Sequence, residues 1–430
     1  MQKTIRMANN IRLALFPIAY ALSGVLIGST LNRVMIADLG YSATLVAFFF
    51  AIPLMISPIR VWVGYQSDAF PLLGKRREPY IMLGVLLIGL GIIAIVSIIT
   101  RHGGNALLMA GVASAFLLYG LGRNTAHNSF QALVAERYVA EDRSRAATFY
   151  EVATMLGMVA GAGFIKRALT DYDPSRLISV AMGVALAVFV LAFFATLGNE
   201  EKDKRTDDAA QKAREISFRA AFAQIIAGDP QVRLFFAIVM LTFIGTLAQD
   251  VLLEPYGGLV LAMPVGETTG LIQYWGVGVL LAMLASGVLF LKHFGWIITM
   301  RAGMIISALA FLGPIAAGLL GNAGVLKVAV FVMGLGTGLA GAGMLSGTLS
   351  FTSRIRAGML LGVWAVANMA GHAVGSLLGG MVVDTVRHFT HNPFLAYSTV
   401  FAAEVIVLVS ALFLSLQMNF AVSQAHQEER

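Results

Sequence analysis

"GNEEKDKRTDDAAQKAREISFRAAFAQIIAGDP", Gly198 to Pro230, is the longest polar interruption in a chain of 430 residues that is 58% hydrophobic and only 12% charged. A soluble domain normally carries about twice that charged fraction. On both sides of the interruption the apolar residues gather into blocks of about 20, the length that crosses a bilayer as a helix. Six blocks come before it, at 11–31, 42–63, 79–99, 105–125, 146–166 and 176–197. Six come after it, at 233–253, 269–291, 296–319, 325–348, 357–380 and 394–416. The pattern predicts an all-α polytopic membrane protein with 12 transmembrane helices. They form two six-helix halves, 1–197 and 231–430, joined by a central loop at 198–230.

Charge placement orients the chain. With the N-terminus in the cytoplasm, 23 of the 30 Lys and Arg residues fall on the cytoplasmic side and seven on the other. Lys and Arg accumulate in cytoplasmic loops, so both termini and the central loop are expected there. Basic residues in short loops act as topology signals, so the net charge of +7 gives no reason to expect nucleic-acid binding. The Ala19-Tyr20-Ala21 triplet imitates a signal-peptide cleavage site, but the apolar run continues to Gly28 and cleavage would remove most of the first span. In the central loop, Ile216, Phe218, Phe222, Ile225 and Ile226 lie near helical spacing among Lys212, Arg214 and Arg219. This predicts an amphipathic helix on the lipid surface. The chain has no cysteine, which excludes disulfides and thiolate metal sites.

The halves resemble each other. Gly120, Gly122, Ala153, Met155, Gly157 and Gly161 each have an identical residue 214 positions later, at Gly334, Gly336, Ala367, Met369, Gly371 and Gly375. Two parallel six-helix repeats are the arrangement of the major facilitator superfamily. The loop "GYQSDAFPLLGKRR" resembles that superfamily's loop signature through Gly64, Asp68, Gly74, Lys75, Arg76 and Arg77, with three extra residues between Asp68 and Gly74. A carboxylate there can hold a neighbouring helix N-terminus as a conformational latch. The alternative is a plain positive-inside turn.

"QDVLLEPYGG", 249–258, closes the seventh span with Asp250 and Glu254 four residues apart, followed by Pro255, Tyr256 and two glycines. Residues four apart share a helical face, where like charges repel unless a proton or a cation intervenes. Pro255 is expected to break the helix and Gly257-Gly258 to allow an unusual backbone path. Non-helical backbone at membrane depth is tolerated beside protein or a water-filled cavity, which marks a site; the alternative is a helix ending at the interface with its acids in water. Asn32 and Arg33 stand at similar depth in the first span, with Arg33 a candidate counter-charge for Asp250 or Glu254. Arg123, His127 and Gln131 form a stripe on the fourth span, and Glu151 is a candidate partner for Arg123. His127 and His372, the latter beside Asn368, are candidate ligands, including for the magnesium of a chlorin; solvated or satisfied histidines are the alternative. Glu404 lies within the twelfth span and is expected to pair with another helix or to be protonated. There is no Walker loop, HExxH or GxSxG, and the GLG pairs at 120–122 and 334–336 read as helix-packing glycines, so an enzyme is not expected.

"LNRVMI" (31–36), "GYQSDAF…GKRREPYIMLG" (64–84), "QDVLLEPYGG" and "VGETTGL" (265–271) resemble the bacteriochlorophyll delivery family, the PucC-like branch of the major facilitator superfamily. The resemblance spans both halves. It implies assembly of light-harvesting or reaction-centre complexes, with bacteriochlorophyll or chlorophyll as bound cargo. The implied partners are antenna or reaction-centre polypeptides, pigment-synthesis enzymes and the lipid bilayer. Gly- and Met-rich helices suit a flat apolar ring, but they also suit an ordinary transporter. A proton-coupled transporter of a small solute, using Asp250 and Glu254, is therefore the alternative.

Overall fold

In lipid every backbone N–H and C=O must find its partner within the chain, and a helix achieves this segment by segment. The computed structural model describes residues 2–69, 72–101, 106–137, 140–199, 230–350 and 357–418, and their regular structure is helical throughout. The only β pairing among them is an isolated bridge between Leu72 and Lys75. The helices of the first half are α1 (Gln2–Val25), α2 (Ala43–Met55), α3 (Ile59–Ala69), α4 (Glu78–Ile99), α5 (Ala106–Arg137), α6 (Ala140–Ala168) and α7 (Pro174–Thr196). The second half contains α8 (Pro230–Leu247), α9 (Leu253–Leu261), α10 (Val265–Thr269), α11 (Leu271–Ala285), α12 (Leu291–Ala310) and α13 (Leu312–Leu320). It ends with α14 (Ala323–Ser350), α15 (Ala357–Thr390) and α16 (Pro393–Ser415).

Ten helices among the described residues are long and apolar enough to cross a membrane. Of the two other expected spans, 42–63 is divided between α2 and α3 by a turn at 56–58, and 146–166 lies within α6. The protein is a polytopic membrane protein. Large apolar side chains such as Leu83, Leu86, Leu90 and Ile93 of α4 face outward, a surface that lipid covers at no cost. The amphipathic helix expected at 213–226 lies outside the described residues.

The described residues within 1–39, 48–215 and 264–273 form one compact unit, and those within 40–47, 216–263 and 274–430 form a second. Within the first unit, α4 crosses α5 where a β-carbon on Gly122 would stand 2.6 Å from the Gly84 carbonyl oxygen. A β-carbon on Gly157 of α6 would stand 2.5 Å from Ile18 Cα on α1. The second unit repeats both crossings. Gly336 of α14 closes on Ser307 and Gly303 of α12, and Gly371 of α15 closes on Phe243 and Met240 of α8. Residues 214 apart therefore do the same packing job in each unit. Small residues let helix backbones approach closely, which drives association in lipid where apolar burial gives little. In the second unit the interior is filled by Phe235, Ile238, Phe243, Trp296, Met300 and Met344.

The loop between α3 and α4 is fastened by its own basic residues. Leu73 and Gly74 both have positive φ, 54° and 74°, and the left-handed region costs Gly74 nothing. Lys75 pairs with Glu78, and the buried Arg77 donates to Ser67 Oγ on α3. The Asp68 side chain, the expected latch carboxylate, lies outside the described residues. A carboxylate on a helix N-terminus occurs in the second unit. Asp384 of α15 accepts from the Ala43 N–H at 3.0 Å and the Thr44 N–H at 2.7 Å, satisfying two of the unpaired donors that open α2. Gly380, one turn earlier, allows the approach, since a β-carbon there would stand 2.8 Å from the Ala43 carbonyl oxygen. Asp384→Ala is expected to cost about 0.5–2 kcal/mol and lower the melting temperature of the purified protein, with Asp384→Asn recovering most of the loss. An unchanged melting temperature for Asp384→Ala would remove the cap from the account of stability.

Candidate functional site

The structure places "QDVLLEPYGG" differently from the sequence expectation. The helix breaks before Pro255: α8 ends at Leu247, Ala248–Val251 form a 3-10 turn, and α9 restarts at Leu253. Pro255 therefore sits in the first turn of α9, where a missing N–H removes no intrahelical bond. Gly257 and Gly258 are helical, so they supply no unusual backbone path; the left-handed residue is Ala262, with φ 50°. Asp250 lies in the 3-10 turn and Glu254 in the first turn of α9, where the helix dipole favours a negative charge.

Tertiary contacts give Asp250 its neighbours. His372 Nε2 of α15 stands 3.3 Å from Asp250 Oδ2, and both side chains are partly accessible, at 26% and 38%. Glu404 of α16, in contrast, is sealed, with 3% of its surface exposed. It lies close enough to Asp250 for the two carboxylates to interact. The Gln249 backbone N–H faces Glu404 without closing a hydrogen bond of full geometry to either oxygen. Two carboxylates and an imidazole from three helices thus converge at a helix break. Such a group can pass a proton, since imidazole and carboxylate both exchange protons readily. Glu254 is 5% exposed, whereas Tyr256 is fully buried against Tyr397 and Phe401 and donates to the Pro314 carbonyl oxygen at 2.6 Å. Gly318 makes room for it: a β-carbon there would stand 2.2 Å from the Tyr256 hydroxyl.

In the first unit, Asn32 and Arg33 are buried between two π-helical turns, Leu26–Leu31 and Val34–Asp38, that continue α1. Widened turns of this kind concentrate at functional positions. Arg33 is ion-paired to Asp38. "VGETTGL" docks in this unit. The Gly266 N–H donates to the Thr170 carbonyl oxygen at 3.0 Å, Gln273 Nε2 donates to the Val159 carbonyl oxygen at 2.8 Å, and Thr269 Oγ1 lies 3.0 Å from Thr30 Oγ1. Two stretches more than 200 residues apart in sequence thus meet at the π-helical segment.

Arg123 and His127 gather a second polar group in this unit. The Arg123 guanidinium lies over the Tyr20 ring, 3.8 Å from its centroid, and donates to Tyr119 Oη at 3.0 Å and Ser23 Oγ at 3.3 Å. The His127 ring stands 5.0 Å from that of Tyr20. Arg60 of α3 donates from Nε to Asn124 Oδ1 at 2.6 Å. Glu151, the expected partner of Arg123, is exposed on α6, and among the described residues every bond that Arg123 makes goes to α1 or to its own helix. A neutral aromatic face and hydroxyls fill the place expected for that acid. Sequence reading missed Tyr20, Arg60 and Asn124: an aromatic or an asparagine in an apolar helix carries no positional signal of its own, whereas Arg60, a cation within an expected span, was the signal that could have found the group. Among the described residues no group of three or more metal-ligating side chains forms.

The family model described as PUCC protein matches residues 30–422. The chain belongs to the PucC family. Protein PucC of Rhodobacter capsulatus is 31% identical to it over 420 residues, covering 94% of this chain and 90% of that one. The Bacteriochlorophyll synthase 44.5 kDa chain of Rhodobacter capsulatus is 28% identical, covering 94% of each. Among solved structures, the nucleoside transporter NupG (D323A mutant) superposes with a TM-score of 0.76 at 14% identity, over 95% of this chain and 99% of that one. The fold of this PucC family member is that of the major facilitator superfamily.

Proposed function

We propose that the protein is a non-enzymatic assembly factor for photosynthetic light-harvesting or reaction-centre complexes, binding bacteriochlorophyll or chlorophyll and passing it to newly inserted antenna polypeptides. It would act in the bacterial inner or intracytoplasmic membrane with both termini cytoplasmic. The observation that carries this reading is membership of the PucC family across residues 30–422, together with a relative named for bacteriochlorophyll. Its antenna or reaction-centre partners, and any pigment-synthesis enzymes, are part of the same proposal.

Deleting the protein is expected to lower the yield of a pigment–protein complex several-fold while free pigment synthesis continues. Absorption spectra of intact membranes, with the protein purified from native membranes for its own spectrum and co-purifying chains, are the measurement. Unchanged antenna and reaction-centre levels in a strain without a covering paralogue would sink the proposal. A second reading is favoured by one specific observation: Asp250, His372 and Glu404 converge at a broken helix, an arrangement that suits a proton-coupled transporter of a small solute. Solute uptake driven by a proton gradient in proteoliposomes would select it.

A further inference from the structure

Arg60 and Arg123 place two permanently charged guanidiniums near each other inside the first unit, within mutual electrostatic reach and within reach of His127. A charge at membrane depth is costly, and a buried one normally meets an opposite charge. Here the partners are neutral. Arg60 has Asn124 Oδ1; Arg123 has the Tyr119 and Ser23 hydroxyls, the Tyr20 carbonyl oxygen and the Tyr20 ring face. Among the described residues no carboxylate is bonded or ion-paired to Arg60, Arg123 or His127.

The group is not sealed. Tyr20, Arg60, Arg123 and His127 are all partly accessible, whereas the surrounding Phe16, Phe130 and Asn124 are buried. Asn124 is fixed by donating to the Pro53 and Gly120 carbonyl oxygens, at 3.0 and 2.9 Å, so its amide oxygen is turned towards Arg60. Phe16 stacks on Phe130 with centroids 4.3 Å apart and supports the Tyr20 side of the group. Two guanidiniums held in place by neutral acceptors, beside aromatic faces, have the chemistry that receives an oxyanion. Arg binds a carboxylate or phosphate through paired N–H donors, and its planar head tolerates a flat neighbour.

We infer that Arg60, Arg123 and His127, with Tyr20, form a binding site for the oxyanion of an anionic amphiphile, a carboxylate or phosphate borne on an apolar body. The inference goes beyond the pigment-handling reading, because bacteriochlorophyll and chlorophyll are esterified and carry no free propionate; it rests on that reading only for its preferred source, an unesterified tetrapyrrole. A tetrapyrrole with a free propionate offers the carboxylate and the flat ring together, whereas an esterified pigment offers no anion. An anionic phospholipid headgroup is the other source of the same chemistry.

The test uses the full-length purified protein in nanodiscs of neutral lipid. Three probes are compared by fluorescence binding titration: a chlorophyllide with a free propionate, the methyl ester of the same pigment, and phosphatidylglycerol titrated as a competitor or by native mass spectrometry. The acid is expected to bind about 10- to 100-fold more tightly than the ester, the value of one charge-assisted contact. Arg123→Gln and Arg60→Gln should erase that preference by lowering acid binding to the level of the ester, and Arg123→Lys should recover part of it. Because the acid–ester comparison is made on the unaltered protein, it decides even where a variant fails to fold. Equal binding of acid and ester, with phosphatidylglycerol binding unchanged in Arg123→Gln, would overturn the site and leave the pigment-handling reading standing. Binding of neither pigment, with phosphatidylglycerol binding lost in Arg123→Gln, would uphold the site with a lipid source and count against that reading. Binding of no anion at all would overturn the site.

Discussion

Asp250→Asn with Glu254→Gln is expected to abolish complementation of a deletion strain while the protein accumulates at its normal level. Both replacements keep shape, so packing cannot account for the loss; what disappears is charge and proton affinity. Asp250 stands at the point where α8 gives way to a 3-10 turn, 3.3 Å from His372 and within electrostatic reach of Glu404. Changing one member of such a group alters the proton occupancy of the others, so single replacements should combine non-additively. Asp250→Asn and His372→Gln, alone and together, provide the cycle, with antenna absorption per cell at matched abundance as the readout. Acids simply ending a helix in water would tolerate both changes, since exposed charges contribute on the order of 0–1 kcal/mol. Full activity of the Asp250→Asn/Glu254→Gln protein would assign this stretch to helix termination alone.

Gly336→Leu is expected to prevent the protein from folding to a monodisperse species, whereas Gly341→Leu on the same helix should be tolerated. A β-carbon at Gly336 would stand 2.4 Å from Ser307 Oγ and 2.6 Å from the Ser307 backbone nitrogen, and the backbone cannot yield without separating α14 from α12. A β-carbon at Gly341 meets nothing within 4 Å. Overpacking a close contact typically costs about 1–3 kcal/mol and occasionally more, a large part of the roughly 5–15 kcal/mol that holds a folded protein together. The repeat predicts that Gly122→Leu fails in the same way, through the crossing of α4 and α5. Size-exclusion profiles and melting temperatures in detergent compare the variants. Equal behaviour of Gly336→Leu and Gly341→Leu would refute the packing role of the repeated glycines.

The sequence by itself determined the membrane class, the twelve apolar blocks and the internal repeat, because the bilayer imposes one length and one hydropathy on every span whatever it packs against. The glycines 214 residues apart were legible for a related reason: close helix crossings in lipid tolerate few residue types, so the same positions recur. The family motifs were legible as a pattern, but their roles were not. "VGETTGL" read as a signature, and only the fold showed it docked on the end of α6 with Thr269 against Thr30. Pro255 read as the breaker of its helix, yet the chain breaks at 248–252 and uses Pro255 in a first turn that needs no N–H from it. Arg123 read as the partner of Glu151 because an acid is the commonest partner for a cation; tertiary packing gave it the Tyr20 face and two hydroxyls, an outcome no local spacing encodes. His372 and Glu404 stood out singly as polar residues in apolar spans, but their convergence on Asp250 required α15 and α16 to be packed against the end of α8. Helical periodicity specifies which face a residue occupies, and only the packing of whole helices decides what that face meets.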